Sequence, residues 1–235
     1  MRDDDYLFLV ERLGEPTLTR VVPTALIRNS CGVLPELLLT YWKTEGFNQF
    51  KHGLYSSVNP EEWQGVVDEW LAGTVFEQFG RFYALTRTAF GELRLFNQQI
   101  GSAVTLNPLC GEISSRSMRL VQPDRLHIEI GLLFSPKPDH WDMLDHEDKY
   151  LFDRALKKLG PLAMDEMYGF EPSLLLGGPA KLENLVKVDA YTHCALLRRL
   201  IDKPWVPFTD IGEALGVDTA ELARQAIEEH RAKGG

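Results

Sequence analysis

Leu159-Gly160-Pro161-Leu162-Ala163-Met164-Asp165-Glu166-Met167-Tyr168-Gly169-Phe170-Glu171-Pro172-Ser173-Leu174-Leu175-Leu176-Gly177-Gly178 is the stretch around which the rest of the chain is arranged. Gly160-Pro161 stops a helix before it, Gly177-Gly178 closes the run, and Gly169 with Pro172 bends the backbone around Phe170. Leu159, Leu162, Met164, Met167, Tyr168, Phe170 and Leu174 to Leu176 fall between those bends. The spacing therefore predicts a buried, irregular corner on which two helices dock. Asp165-Glu166, just after Gly160-Pro161, reads as an acidic pair at a helix N-terminus rather than a general acid and base.

Working outward, Lys149 to Leu159 is the expected helix before the corner, with Leu151, Ala155 and Leu159 inward and Asp153 to Lys157 as an outward pair. Val188 to Ile201, stopped by Pro204, is the expected helix after it. Upstream lies an acidic loop from Ser135 to Asp148, in which Asp139, Asp142, Asp145 and Glu147 surround Trp141. An aromatic ringed by carboxylates has the form of an interface anchor for a basic partner, and these five residues are the expected contacts. The competing reading is that Trp141 folds back onto the preceding element while the acids cap the next helix. That preceding element, Leu126 to Phe134, alternates Leu126, Ile128, Ile130 and Leu132 and reads as a strand. Beyond Pro207 the pattern is helix, Gly216-Val217 turn, and a second helix capped by Asp218-Thr219-Ala220-Glu221, the grammar of a helix-turn-helix.

The first half mixes periods. Asp5 to Leu13 is helical and ends at Gly14; Thr17 to Val22 is extended; Pro23 opens a short helical turn; Pro35 to Thr44 is a stronger helix ending at Gly46. Phe47 to Val58, broken by His52-Gly53, suggests a hairpin. Asn59-Pro60-Glu61-Glu62 is the clearest helix start in the chain, and it points Trp63, Val66, Val67, Trp70 and Leu71 inward. Phe82 to Thr86, Leu93 to Phe96 and Ala103 to Leu106 are strand-like, with Gly91 and Gly101 at turns. These elements give an α+β fold: a small, mainly antiparallel sheet packed with helices in residues 1–115, a mainly helical second half in 118–204, and a tail in 205–235.

Two sets of residues carry a family resemblance. The run Leu159-Gly160-x-Leu162-x-x-Asp165-Glu166-x-Tyr168-Gly169-Phe170-x-Pro172-x-Leu174-x-Leu176-Gly177-Gly178 resembles the C-terminal signature of Tdi-type immunity proteins, which neutralise DNase effectors of the bacterial type VI secretion system. Leu34-Pro35-x-x-Leu38-x-x-Tyr41-Trp42-x-x-x-Gly46-Phe47, His52-Gly53-Leu54, Asn59-Pro60 and Ala89-Phe90-Gly91-Glu92-Leu93 resemble the GAD-like domain that precedes it in that family. Together they cover roughly residues 3 to 203. The resemblance implies a non-catalytic protein that binds a cognate DNase toxin, and it makes Gly160, Glu166, Tyr168, Gly169, Phe170, Pro172, Gly177 and Gly178 structural motif positions.

Composition is consistent with that implication. The net charge of −9 disfavours a general grip on phosphate backbones and suits a basic partner, although many proteins are acidic merely for solubility. Cys31, Cys110 and Cys194 are odd in number and widely spaced, which fits free thiols in a reducing compartment. No apolar window is long enough for a transmembrane helix, and Met1-Arg2-Asp3-Asp4-Asp5 is unlike a signal peptide, so the expected location is cytoplasmic.

The sequence has no Gly-x-Ser-x-Gly, Walker loop, His-Glu-x-x-His or Gly-x-Gly-x-x-Gly. Gly177-Gly178-Pro179 reads as a turn because Pro179 lacks an amide donor. Asp139 with Glu147-Asp148-Lys149 imitates a metal-dependent nuclease but sits in a polar lead-in rather than on a buried strand. His193 and Cys194 are helical neighbours pointing apart, which suits neither a shared metal nor a thiolate-imidazole pair. The expectation is therefore no enzyme activity, no metal and no cofactor. The alternative function is a DNA-binding autoregulator using the tail, opposed by the balance of residues there: Asp218, Glu221, Glu228 and Glu229 against Arg224, Gln225 and Arg231.

Overall fold

Seven short strands build one antiparallel sheet in which every strand pairs with its sequence neighbour, with helices inserted after the first and third. The computed structural model describes residues 2–115, 120–134 and 138–206. The strands are β1 (Leu18–Arg20), β2 (Phe47–Phe50), β3 (Tyr55–Ser57), β4 (Tyr83–Thr88), β5 (Leu93–Asn97), β6 (Gly101–Asn107) and β7 (Glu112–Ser115). The expected hairpin and the three expected strands are β2 to β6. At the β4–β5 turn, Gly91 takes φ 78°, and Thr88 Oγ1 accepts the amides of Phe90 (3.3 Å) and Glu92 (3.2 Å).

Helices cover both faces of this sheet. They are α1 (Asp4–Leu13), α2 (Thr24–Ser30), α3 (Glu36–Thr44), α4 (Pro60–Leu71), α5 (Leu126–Phe134), α6 (Phe152–Leu159) and α7 (Ala190–Arg198). The start of α4 is as the sequence predicts: Asn59 Oδ1 accepts the Glu61 amide at 3.0 Å, its Nδ2 donates to Glu62 Oε1 at 3.0 Å, and Pro60 occupies the first turn. Trp63, Val66, Val67, Trp70 and Leu71 are all buried.

Three expectations are corrected. Leu126 to Phe134 is the helix α5, not a strand. Its inward residues are Leu126, Ile130 and Leu133, a spacing of four and then three that turns one helical face toward α1, α3 and β6, whereas Ile128 and Leu132 are exposed. The apparent alternation came from counting those exposed residues. Second, the corner is less irregular than expected: Glu166–Phe170 is strand β8, paired antiparallel with β9 (Leu185–Asp189) from Glu166↔Asp189 to Phe170↔Leu185. Third, Glu166 therefore caps no helix; its Oε2 accepts the Ala163 amide at 2.9 Å and pairs with Lys187 at 3.4 Å. The second half is thus only partly helical. The following helix begins at Ala190, where the Asp189 carboxylate caps the Thr192 amide at 2.8 Å, and the preceding one begins at Phe152 rather than Lys149.

The motif residues still form a buried centre. Tyr168 and Phe170 are 0% and 1% exposed. The Tyr168 hydroxyl donates to the Gly160 carbonyl at 2.7 Å, and its amide donates to the Ala89 carbonyl at 2.8 Å. A Cβ on Gly169 would meet His193 Nε2 at 2.8 Å and Val188 Cγ2 at 3.1 Å, so a larger residue there would push the imidazole aside. Leu174–Leu176 forms one 3₁₀ turn closed by Gly177 in the left-handed conformation, and the Gly178 amide donates to the Ser173 carbonyl at 3.0 Å. The peptide bond before Pro172 is cis.

The second half grips the sheet from two sides. Gln49 and Phe50 are neighbours on β2 and so point to opposite faces. Phe50 packs near Tyr55, whose hydroxyl donates to the Leu133 carbonyl of α5 at 2.9 Å; Gln49 Nε2 donates to the Ala163 carbonyl at 3.2 Å. On that second side Trp70 Nε1 of α4 donates to the Cys194 carbonyl of α7 at 3.0 Å. Buried residues of both halves, from Tyr6 to Leu197, make one continuous apolar cluster. The edge of β7 is closed by the chain itself: the Ile113 amide donates to the Trp205 carbonyl at 2.9 Å, and the Trp205 amide to the Gly111 carbonyl at 2.8 Å.

Candidate partner surface

The acidic loop is held by its own acids. Asp142 Oδ1 accepts the Met143 amide at 2.7 Å and the Phe152 amide at 2.8 Å, so it caps α6 from a distance in sequence. Burial raises its pKa, and those backbone donors oppose the shift. Asp145 is 5% exposed; it accepts the amides of Glu147 (2.8 Å) and Lys149 (3.0 Å) and pairs with Arg154, which holds its carboxyl down to about 2. Trp141 is 1% exposed and stacks on Tyr55 with centroids 4.4 Å apart and planes at 27°. The expectation of an exposed aromatic anchor is therefore corrected: Trp141 is folded into the core, because stacking on Tyr55 buries a large ring that the acids alone would leave wet. Asp139 and Glu147 remain exposed, Glu147 beside Lys149 at 2.6 Å. The nuclease-like set is not assembled, and no group of three His, Cys, Asp or Glu side chains with metal-binding geometry occurs among the described residues.

A cleft lies elsewhere, on the seam between the two halves. It has a volume of about 240 Å³ and is walled by Arg20, Glu62 and Trp63 from the first half and by Asp165, Asp189 and Tyr191 from the second. Register brings the acids together: Glu166 pairs with Asp189, and the Ala190 amide donates to the Asp165 carbonyl at 2.8 Å. The Arg20 guanidinium pairs with Glu62 at 3.1 Å. Tyr191 stands edge-on to Trp63 at 6.0 Å between centroids, and its hydroxyl lies over Gly65, where a Cβ would be 2.8 Å away. Gly65 thus costs α4 some helix stability, about 1 kcal/mol, and makes room for Tyr191.

Below the cleft Arg87 of β4 is 1% exposed, donating from its two terminal nitrogens to the carbonyls of Thr88 and Met164, each at 3.2 Å. Burial pushes this guanidinium down to about 10, against the opposing pull of Cys194, Asp165 and Asp189. Its Nε, like Gln49 Oε1 and Ser56 Oγ, has no hydrogen-bond partner among the described residues. Those three residues lie in register across β2, β3 and β4, a buried polar row beneath the Ala163 to Asp165 segment. Sequence reading missed Asp189, Tyr191 and Arg87. Only Arg87 left a signal, an arginine immediately after an apolar strand pattern.

His193 is half-buried and Cys194 fully buried, as expected from their helical phases; burial lowers the His193 pKa and raises the Cys194 thiol to about 12, which disfavours the thiolate. Among the described residues no helix is long and apolar enough to cross a membrane. The helix-turn-helix-like tail lies outside the described residues beyond Val206, as do Arg116 to Arg119 at the expected boundary and Ser135 to Lys137 of the acidic loop.

Comparison with known proteins places the two halves separately. Residues 5–110 match the GAD-like domain family, and residues 131–200 match the family described as T6SS immunity protein Tdi1, C-terminal. The chain is also similar to the crystal structure of Atu4351 from Agrobacterium tumefaciens, with a TM-score of 0.75 and 25% identity over 83% of this chain and 88% of that one. No curated protein matches the sequence.

Proposed function

Because the chain belongs to the Tdi-type immunity proteins of the type VI secretion system, we propose that it binds a cognate DNase effector directly and holds its nuclease domain inactive in the cytoplasm of the cell that makes it. The match of residues 131–200 to the Tdi1 C-terminal family carries this reading. The family points to a non-enzymatic role: neutralisation by tight binding, without turnover. Charge supports the choice of target. A nuclease must hold phosphates with a basic cleft, and a partner with net charge −9 is drawn to such a surface, raising the association rate. Asp139 and Glu147, exposed beside the buried Trp141, contribute to that field rather than to an aromatic anchor. Inhibition proceeds by occlusion or distortion of the nuclease domain.

Co-expression tests the proposal. Expressed alone, the cognate effector should degrade cellular DNA and stop growth, and it should do neither when this protein is present. A purified, catalytically inactive effector domain should co-elute with it. Unrelieved toxicity with no complex would overturn the reading.

A further inference from the structure

We propose that the seam cleft receives a lysine or arginine side chain of the effector, seated against Tyr191 and Trp63 and held by Asp165 and Asp189; the proposal rests on the immunity reading above. At about 240 Å³ the cleft is smaller than typical small-molecule sites of about 300–1,000 Å³, and it suits a single inserted side chain. Its charge selects a cation. Three carboxylates, Glu62, Asp165 and Asp189, line it with one guanidinium, Arg20, and the buried Arg87 lies beneath. Arg20 is engaged with Glu62, and Arg87 is committed behind the wall to the carbonyls of Thr88 and Met164. The Asp165 carboxylate has no hydrogen-bond partner among the described residues, and Asp189 spends one oxygen on the Thr192 amide, which leaves acceptor capacity on both.

The aromatic wall fits the same ligand. Tyr191 is 42% exposed although it lies against α4, so its ring is available to a cation. An anion is disfavoured. The helix N-termini of α4 and α7 both border the cleft, yet Asn59 and Asp189 already cap them, and the remaining carboxylates repel negative charge. Because each half supplies part of the wall, a side chain inserted here would contact both at once.

The test measures binding kinetics of the inactive effector domain with Asp165→Lys, Tyr191→Ala and a control, Glu36→Lys, which makes the same charge change at a residue whose side chain is 79% exposed on α3. Asp165→Lys should weaken affinity at least about tenfold, about 1.4 kcal/mol, chiefly through faster dissociation. Tyr191→Ala should act in the same direction, and Glu36→Lys should change affinity less than about threefold. If wild type binds while Asp165→Lys matches it, or Asp165→Lys and Glu36→Lys lose equally, the cleft proposal fails and the immunity reading stands. If wild type does not bind, the immunity reading fails, and N-acetyl-arginine amide decides the cleft. NMR shifts confined to Trp63, Asp165 and Tyr191, lost in Asp165→Lys, would support a cation site; no shifts there would overturn it.

Discussion

Replacing Trp141 by alanine separates a core residue from an interface anchor, because the two roles give opposite results. The side chain is 1% exposed and stacked on Tyr55 at 4.4 Å. Truncating a buried tryptophan costs about 3–5 kcal/mol, and losing the stacked pair adds about 0.5–1.5. The indole Nε1 has no acceptor among the described residues, so removing it returns some of the roughly 1–3 kcal/mol of an unsatisfied donor. A net loss of about 3–5 kcal/mol is a large share of the usual 5–15 kcal/mol total. In a chain of this length each kcal/mol moves Tm by about 2–4 °C, so Tm should fall by roughly 10 °C. Trp141→Phe keeps the ring, drops the orphan N–H and should cost less than about 1.5 kcal/mol. Guanidinium melts at constant m provide the measurement. A Trp141→Ala protein with wild-type midpoint and lost effector binding would refute the burial argument and restore the residue to the interface.

The other expectations are more local. In Gly178→Ala the new Cβ would run into the Pro172 carbonyl oxygen, so the 172–178 loop must shift, and stability should drop by about 1–3 kcal/mol in the same melts; an unchanged midpoint would show that the loop gives way freely. Trp70→Phe removes the bond to the Cys194 carbonyl that ties α4 to α7 and should cost about 1–3 kcal/mol, with faster amide exchange in α7. Burial lowers the His193 pKa, so the folded protein favours neutral imidazole. Its contribution is complete above the unfolded value of about 6.5 and is lost as pH falls from there to the folded pKa. The wild type should lose stability across that window while His193→Gln should not, and parallel pH profiles would remove His193 as the cause.

Where one physical signal dominated, the sequence was readable. Asn59-Pro60-Glu61-Glu62 fixed the start of α4 because cap, proline and acid all act on the same orphan amides, and Trp63, Val66, Val67, Trp70 and Leu71 then had a single inward face. Leu126 to Phe134 misled because His127, Glu129 and Gly131 fall at alternate positions and imitate a strand period, while the exposure of Ile128 and Leu132 depends on α1 and α3, which no local window contains. Trp141 misled for a related reason. Its neighbours are charged, but burial was decided by Tyr55, far away in the chain.

The seam cleft was illegible for a topological reason. Val188 belongs to β9, yet the run into Ala190 to Arg198 has a helical pattern long enough to absorb it. Reading Val188 as helix hides the β8–β9 pairing. Without Glu166↔Asp189, nothing in the sequence brings Asp165 and Asp189 to one place. With that register fixed, several consequences follow together: Asp189 must end the strand and cap α7, Tyr191 must fall within the first turn of α7, and Gly65 must lack a side chain for the Tyr191 hydroxyl to lie on α4. The glycine on α4 and the aspartate on β9 are thus parts of one arrangement. A substitution at Gly65 should therefore disturb effector binding through Tyr191 even where α4 itself gains helix propensity, about 1 kcal/mol for alanine.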